Sequence, residues 1–267
     1  MKVEKGPLNK YPKELLCGEY RADGKIIEVS LRVKNAPFVM RNVLNIFTEK
    51  GIKIISGFIT QVEENLFQIG LFLDVSNLKD GITDFIGEIR KTKDIIDVVV
   101  SQESFDGMVV DTIHFPLTAF DEKSFTFRVE TFGSILAKLY EKFGTGAAVI
   151  LYEMGSIAGE SKVKSIYKKR RMDKSTILKL IMAERIAKGW CVPEIVDFSS
   201  KGAIIVAHEL FECLYFKGKQ DKSMSHFFRG YLAGIFRQLF NKEASVSEVE
   251  CIAKGDDTCK YVIEVKG

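Results

Sequence analysis

At 267 residues the chain is long for one domain and comfortable for two, and 46% hydrophobic content supports a substantial core. A net charge of +3 is too small to argue for nucleic acid or an anionic membrane as partner, and no run approaches the roughly 18 consecutive apolar residues of a membrane helix. The opening residues (MKVEKGPLNKYPKELL) lack the apolar centre of a signal peptide, which predicts a cytoplasmic protein whose five cysteines are reduced or metal-bound. Twenty Phe against one Trp suits either dry core filling or an apolar ligand cavity.

Residues 1–24 mix Gly6, Pro7, Pro12, Gly18 and Gly24 with charges and read as an arm with little regular structure. Residues 25–33 (KIIEVSLRV) alternate and read as a strand. Pro37 opens a helical pattern to residue 50, with Val39, Val43, Leu44, Ile46 and Phe47 on one side and Gly51 ending it. Residues 52–62 and 65–75 are strand candidates joined at Glu63-Glu64, residues 78–91 a second helix, and residues 94–101 (DIIDVVVS) a fourth strand. This β-α-β-β-α-β order is the split-βαβ, ferredoxin-like arrangement. Residues 102–126 form a linker in which 108–115 (MVVDTIHF) extends the first sheet, and His114 reads as structural.

From residue 127 the pattern turns helical, with Phe132, Ile135, Leu136, Leu139, Tyr140 and Phe143 in a stripe closed by Gly144. The glycine-rich run after it lacks the lysine–hydroxyl pair of a phosphate-binding loop, and Gly155 and Gly159, four apart, read as a close helix contact. Residues 162–174 (KVKSIYKKRRMDK) carry seven basic side chains and read as a solvated helix end and loop. A helix over 176–188 precedes a strand pair at 190–199 and 202–206, then a stretch of mixed character, HELFEC. Residues 223–241 form the most amphipathic segment, with Phe227, Phe228, Tyr231, Leu232, Ile235 and Leu239 on one broad face. Gly230 and Gly234 inside it each cost about 1 kcal/mol relative to alanine, so another helix or a ligand approaches that face closely.

Residues 247–266 (SEVECIAKGDDTCKYVIEVK) flank the turn Lys254-Gly255-Asp256-Asp257 with two alternating runs. Cys251 and Cys259 stand at its shoulders, Glu248 three residues before the first, and Cys259, Tyr261, Ile263 and Val265 share one face. Strict alternation puts Glu248 and Cys251 on opposite faces, so a shared metal requires a bulge near Val249.

Two resemblances extend this reading. Through its element order and the VKNAP turn, the stretch 25–101 resembles an ACT domain, which implies a small regulatory or pairing module. Amino-acid-binding members carry glycine where Phe38 stands here, which favours pairing over amino-acid binding. The residues RGYLAGIF and SEVECIAKGDDTCKYVIEV, within 127–265, resemble the 4-vinyl reductase domain. That family includes a vinyl reductase of bacteriochlorophyll synthesis, the sensor modules of aromatic-responsive activators and related vesicle-tethering subunits. The resemblance implies a module with an antiparallel sheet and packed helices that dimerises and encloses an apolar pocket. In aromatic-sensing members, zinc is held by Glu-x2-Cys-x7-Cys and one upstream cysteine. Glu248, Cys251 and Cys259 reproduce the first three, while the upstream place falls on Ser225 beside His226, so the implied set is Glu248, Cys251, Cys259 and His226 around a structural zinc.

The expectation is an α+β protein: an arm (1–24), a ferredoxin-like ACT-like domain (25–101), a linker (102–126) and a domain of the 4-vinyl reductase type (127–267). No Gly-x-Gly-x-x-Gly follows a strand and no catalytic constellation is visible, which favours a non-enzymatic homodimeric sensor. It would hold a small aromatic, acyl or tetrapyrrole-like ligand through Phe228, Tyr231, Leu232, Ile235 and Trp190. A reductase or accessory protein of tetrapyrrole metabolism, and an assembly module with no ligand, stay open as alternatives.

Overall fold

The computed structural model describes residues 12–22 and 24–266, so most of the expected arm lies outside the described residues. The chain divides into two compact units, Met1–Ser124 and Phe125–Gly267. Both are mixed α and β with antiparallel sheets.

The first unit contains β1 (Gly18–Tyr20), β2 (Ile26–Val33), α1 (Ala36–Glu49), β3 (Lys53–Glu63), β4 (Leu66–Asp74), α2 (Ile82–Arg90), β5 (Ile95–Ser101), β6 (Met108–Val110), and the two-residue strands β7 (Thr118–Ala119) and β8 (Glu122–Lys123). Its main sheet has the order β3-β4-β2-β5, every neighbouring pair antiparallel. Strand β2 lies inside that sheet, and its period-2 pattern sorts two faces. Ile27, Val29, Leu31 and Val33 pack with Val39, Val43 and Phe47 of α1 and Phe85 and Ile89 of α2. Ile26 lies among Phe72 and Val109.

Two expectations are corrected here. Residues 108–115 do not extend the main sheet: β6 pairs with β1 in a separate two-stranded ribbon, and Val109 packs against Ile26 and Phe72. The reversal at Asp106-Gly107, both in the left-handed region, turns the chain back instead of letting it continue as a sheet strand. Helix α2 begins at Ile82 rather than residue 78, because Gly81 is extended and stands outside the helix as its N-cap.

The second unit contains α3 (Val129–Phe143), α4 (Thr145–Lys169), α5 (Lys174–Ala187), β9 (Val192–Ser199), β10 (Gly202–His208), α6 (Phe211–Leu214), α7 (His226–Phe240), β11 (Ala244–Glu250), a 3-10 turn (Ile252–Lys254) and β12 (Cys259–Val265). Its sheet order is β11-β12-β10-β9. Asp173 caps α5 by accepting the Thr176 amide N–H at 3.1 Å. Most of the basic run belongs to the last turns of α4, where Lys162 pairs with the buried Glu184 of α5 at 2.5 Å.

Helices α4 and α7 meet backbone to backbone. A Cβ added at Gly155 would lie 2.0 Å from the Phe227 carbonyl oxygen, and one at Gly159 2.2 Å from that of Tyr231. From the other side, a Cβ on Gly230 would meet the Tyr152 carbonyl oxygen at 2.0 Å, and one on Gly234 that of Ser156 at 2.0 Å. Partners advance together along both helices, so the two run parallel. The occupant that the thinned face of α7 admits is thus a second helix. Arg237 bridges the contact, donating to Ser156 Oγ at 3.1 Å and Glu160 Oε1 at 2.8 Å.

Candidate functional site

Four side chains from three elements converge behind the C-terminal hairpin: Cys213 from α6, Glu248 from β11, Cys251 from the residue before the 3-10 turn, and Cys259 from the start of β12. One ligand atom from each lies within 4.8 Å of all the others, and the three cysteines are completely buried. The β11–β12 register slips between Glu248 and Glu250, so Glu248 faces Tyr261 while Glu250 faces Lys260. That bulge at Val249 removes the alternation that would have set Glu248 and Cys251 on opposite faces. Beyond it, Asp256 Oδ2 accepts the Cys251 amide N–H at 2.7 Å and the Ile252 amide N–H donates to Cys259 Sγ at 3.4 Å. Gly255, at φ 107°, closes the turn.

The donor set fits a tetrahedral thiophilic metal. Zn–S bonds of about 2.3 Å at the tetrahedral angle place sulfurs about 3.8 Å apart, and Cys213 Sγ and Cys251 Sγ are separated by 3.7 Å. Glu248 Oε1 is buried with no hydrogen-bond partner, a costly state for a carboxylate unless something else binds it. Burial pushes the Glu248 carboxyl up to about 8. Hydrogen bonds from Cys213 and Cys259 hold the Cys251 thiol far below the ordinary thiol range. The same crowding raises Cys213, first through its bond to Cys251.

Of the residues singled out from the sequence, Glu248, Cys251 and Cys259 come together and His226 does not join them. His226 begins α7, where its Nδ1 accepts a hydrogen bond from Arg229 at 3.1 Å, and burial pulls it down to about 4. The neighbouring Ser225 hydroxyl accepts from Tyr261 at 2.7 Å. The fourth member is Cys213, which sequence reasoning left in a stretch of mixed character. Its only signal was being an additional cysteine upstream of the hairpin, since the ligand arrives from another element and no spacing rule points to it. Next to it, fully buried Glu212 accepts the amide N–H groups of Phe227 and Phe228 at 2.8 and 2.9 Å. This carboxyl caps α7 from outside the helix, and burial nevertheless pushes it up to about 8.

The proposed ligand residues Phe228, Tyr231, Leu232 and Ile235 are all interior. Phe228 packs against Tyr261 at a centroid distance of 5.4 Å and stacks on Tyr231 at 6.1 Å. Trp190 is the centre of an aromatic nest, 5.4 Å from Tyr231, 5.4 Å from Phe211 and 5.7 Å from Phe227. The buried Arg185 guanidinium lies 4.1 Å over Trp190 and 5.0 Å from the Tyr231 ring. Two polar atoms in this nest, Arg185 Nε and the Tyr231 hydroxyl, have no hydrogen-bond partner. Open clefts of about 370 and 340 Å³ occur in the first unit, flanking α2, and neither is lined by these residues.

In the first unit, His114 is not isolated. Asp111 stands three residues before it, a neighbour the sequence reading passed over, and Glu28 reaches it from β2. The chain Asp111–His114–Ser30 has the connectivity of a nucleophilic triad, with His114 Nε2 3.0 Å from Ser30 Oγ. Ser30 is only 3% exposed and Gln68 donates to its oxygen, so no substrate carbonyl reaches it.

Residues 206–265, from β10 to β12, match the vinyl-4-reductase domain, and all four members of the thiol cluster lie in that span. No curated protein matches the chain. Among solved structures, the chain is similar to the phenol-responsive sensory domain of the transcription activator PoxR with phenol (15% identity, TM-score 0.48, 54% of this chain and 77% of that one). It is also similar to a vinyl-4-reductase family protein from Methanocaldococcus jannaschii (22%, 0.36, 54% and 85%). A third is trafficking protein particle complex subunit 3 from Naegleria fowleri, covalently bound to palmitic acid (14%, 0.41, 52% and 93%). No helix among the described residues is long and apolar enough to cross a membrane.

Proposed function

We propose that the protein is a small-molecule sensor or regulatory protein whose second unit, of vinyl-4-reductase type, encloses an apolar ligand beside a structural zinc. One observation carries the ligand reading: two buried polar atoms, Arg185 Nε and the Tyr231 hydroxyl, stand unpaired inside the nest around Trp190. Buried polar groups are nearly always satisfied, and a ligand bearing a hydroxyl or carboxylate against an aromatic or acyl body would satisfy both. Zinc would be held by Cys213, Glu248, Cys251 and Cys259 and would lock the hairpin to α6. The first unit would serve as a ferredoxin-like, ACT-like pairing module of a homodimer; its element order and its strand order β3-β4-β2-β5 support that.

Native mass spectrometry of the purified chain, compared with a denatured sample, tests the proposal, with phenols and fatty acids as probes. The expected result is a retained or added small mass that Tyr231→Phe weakens about tenfold, while the same change stabilises the ligand-free protein by about 1 kcal/mol through removal of an orphaned hydroxyl. Absence of any retained mass and of any shift with either probe class would leave the second reading, an assembly module with a filled interior. The complete burial of Phe228, Leu232 and Ile235 favours that reading.

A further inference from the structure

We propose that Glu28, Asp111 and His114 of the first unit form a binding site for a divalent first-row metal ion. Three ligand atoms, one from each side chain, lie within 4.8 Å of one another. His114 Nδ1 is 3.3 Å from Glu28 Oε1 and 3.1 Å from each Asp111 carboxylate oxygen. Metal bonds of about 2.0–2.2 Å to nitrogen and oxygen give ligand-to-ligand edges of about 3.0–3.4 Å in octahedral or tetrahedral geometry. The observed separations fall in that range with no side chain moved.

A second observation points to a ligand. Glu28 is 1% exposed and its Oε1, the oxygen facing His114 Nδ1, has no hydrogen-bond partner. Its other oxygen accepts the Thr112 amide N–H at 3.3 Å, so the carboxylate is held with one free oxygen aimed inward. Asp111 is fixed in the same manner, with Oδ1 accepting the amides of Ile113 and His114 at 3.1 and 2.9 Å. On the far side of the imidazole, Nε2 lies 3.0 Å from Ser30 Oγ, the outer hydrogen bond that commonly orients a metal-bound histidine. Phe58 meets the ring edge-on at 4.9 Å and limits its rotation. His114 supplies at most one positive charge against two carboxylates, and burial raises Glu28 although His114 opposes it. A divalent ion balances that charge and uses the free oxygen.

Two carboxylates and an imidazole suit Mn2+, Fe2+ or Zn2+, whereas the thiol-rich cluster of the second unit selects softer ions. Mn2+ is therefore the discriminating probe. The full chain, stripped with a chelator and dialysed, is titrated with Mn2+ while the electron paramagnetic resonance signal of the free ion is followed. The expected result is uptake of one Mn2+ per chain, weakened at least tenfold in both Glu28→Gln and His114→Asn and unchanged in Cys251→Ser. Far-UV circular dichroism verifies folding, and if Glu28→Gln does not fold, the partly exposed His114 position carries the comparison. No uptake by the wild-type chain, uptake that survives in both folded variants, or uptake lost in Cys251→Ser overturns the proposal.

Discussion

Substitution of Gly234 by alanine tests the most specific packing feature of the second unit. The new Cβ would begin 2.0 Å from the Ser156 carbonyl oxygen, with the Glu160 nitrogen at 3.0 Å. Both are backbone atoms, so no side-chain rotation relieves the clash. Reaching ordinary contact at about 3.4 Å requires α4 and α7 to separate by about 1.4 Å. Gly155, Gly159 and Gly230 share that contact and would be opened with it. Overpacking of this kind costs about 1–3 kcal/mol, and the upper end applies because the obstacle is backbone. The gain in helix propensity returns about 1 kcal/mol, leaving a net loss of about 2 kcal/mol. Gly146→Ala in α4 is the control, since its Cβ meets only Phe143 Cβ at 4.0 Å. It should be neutral or stabilising by up to about 1 kcal/mol. Urea unfolding followed by fluorescence of Trp190, the single tryptophan, reports on the second unit alone. If Gly234→Ala proved as stable as the wild type, the glycines would not be there for the helix contact, and the approach of a ligand would be the better account.

Zinc content separates the two candidates for the fourth metal ligand. Cys213→Ser should reduce bound zinc from about one equivalent to well below half, and His226→Ala should leave it unchanged, as measured by elemental analysis of the dialysed protein. The reverse pattern would restore the spacing-based assignment. The pH dependence of stability has a definite sign in metal-free protein. Glu212 binds a proton in the folded state up to about pH 8, whereas an unfolded glutamate releases it near 4.5. The folded state therefore holds more protons between those values, and stability falls as pH rises through the window. His226, pulled down to about 4, acts oppositely, its contribution being lost as pH falls from 6.5 toward 4, so the range 6.5–8 isolates the carboxyls. A loss of about 2 kcal/mol over those 1.5 units is expected from Glu212, at 1.36 kcal/mol per unit. Glu212→Gln should flatten this part of the profile. A profile that Glu212→Gln leaves unchanged would mean that the two helix amides keep this carboxylate ionised throughout.

Much of the first unit was legible because its apolar alternation is strong. Residues 25–33 alternate cleanly, and their helix-facing half, Ile27, Val29, Leu31 and Val33, is the core of the unit. The same rule misdirects at Glu28 and Ser30, since polar positions of an alternating strand ordinarily face water. Both are buried. Their partners lie more than eighty residues away, in the segment after β6, and a three-residue strand carries too little pattern to announce that pairing. Asp111 was visible three residues before His114; what local sequence could not supply was the third member. In the second unit the glycine spacing announced a close contact, and the ligand requirement announced the bulge at Val249. Cys213 escaped because ligand spacing was sought along one strand–turn–strand, while the chain delivers its fourth donor from α6.

The position of Cys213 ties three features to one helix start. A four-residue helix such as α6 has no stability of its own, being shorter than the turns needed to repay nucleation. It is fixed by what its side chains reach: Glu212 holds two of the free amides in the first turn of α7, and the adjacent Cys213 enters the thiol cluster. Hydrogen bonds to a buried charged acceptor are worth about 1.5–3 kcal/mol each, so the cap alone anchors the start of α7. Ser225, just before that helix, is bonded to Tyr261 of β12, two residues beyond Cys259. Phe227 and Phe228, whose amides Glu212 holds, pack respectively on Trp190 and on Tyr261. Any change in the thiol cluster must therefore pass through α6 or β12 to the residues that form the aromatic nest. A ligand seated against Tyr231 presses on the same helix one turn further along. Because α4 already blocks the glycine face of α7 by backbone contact, its first turn is where the helix has room to respond.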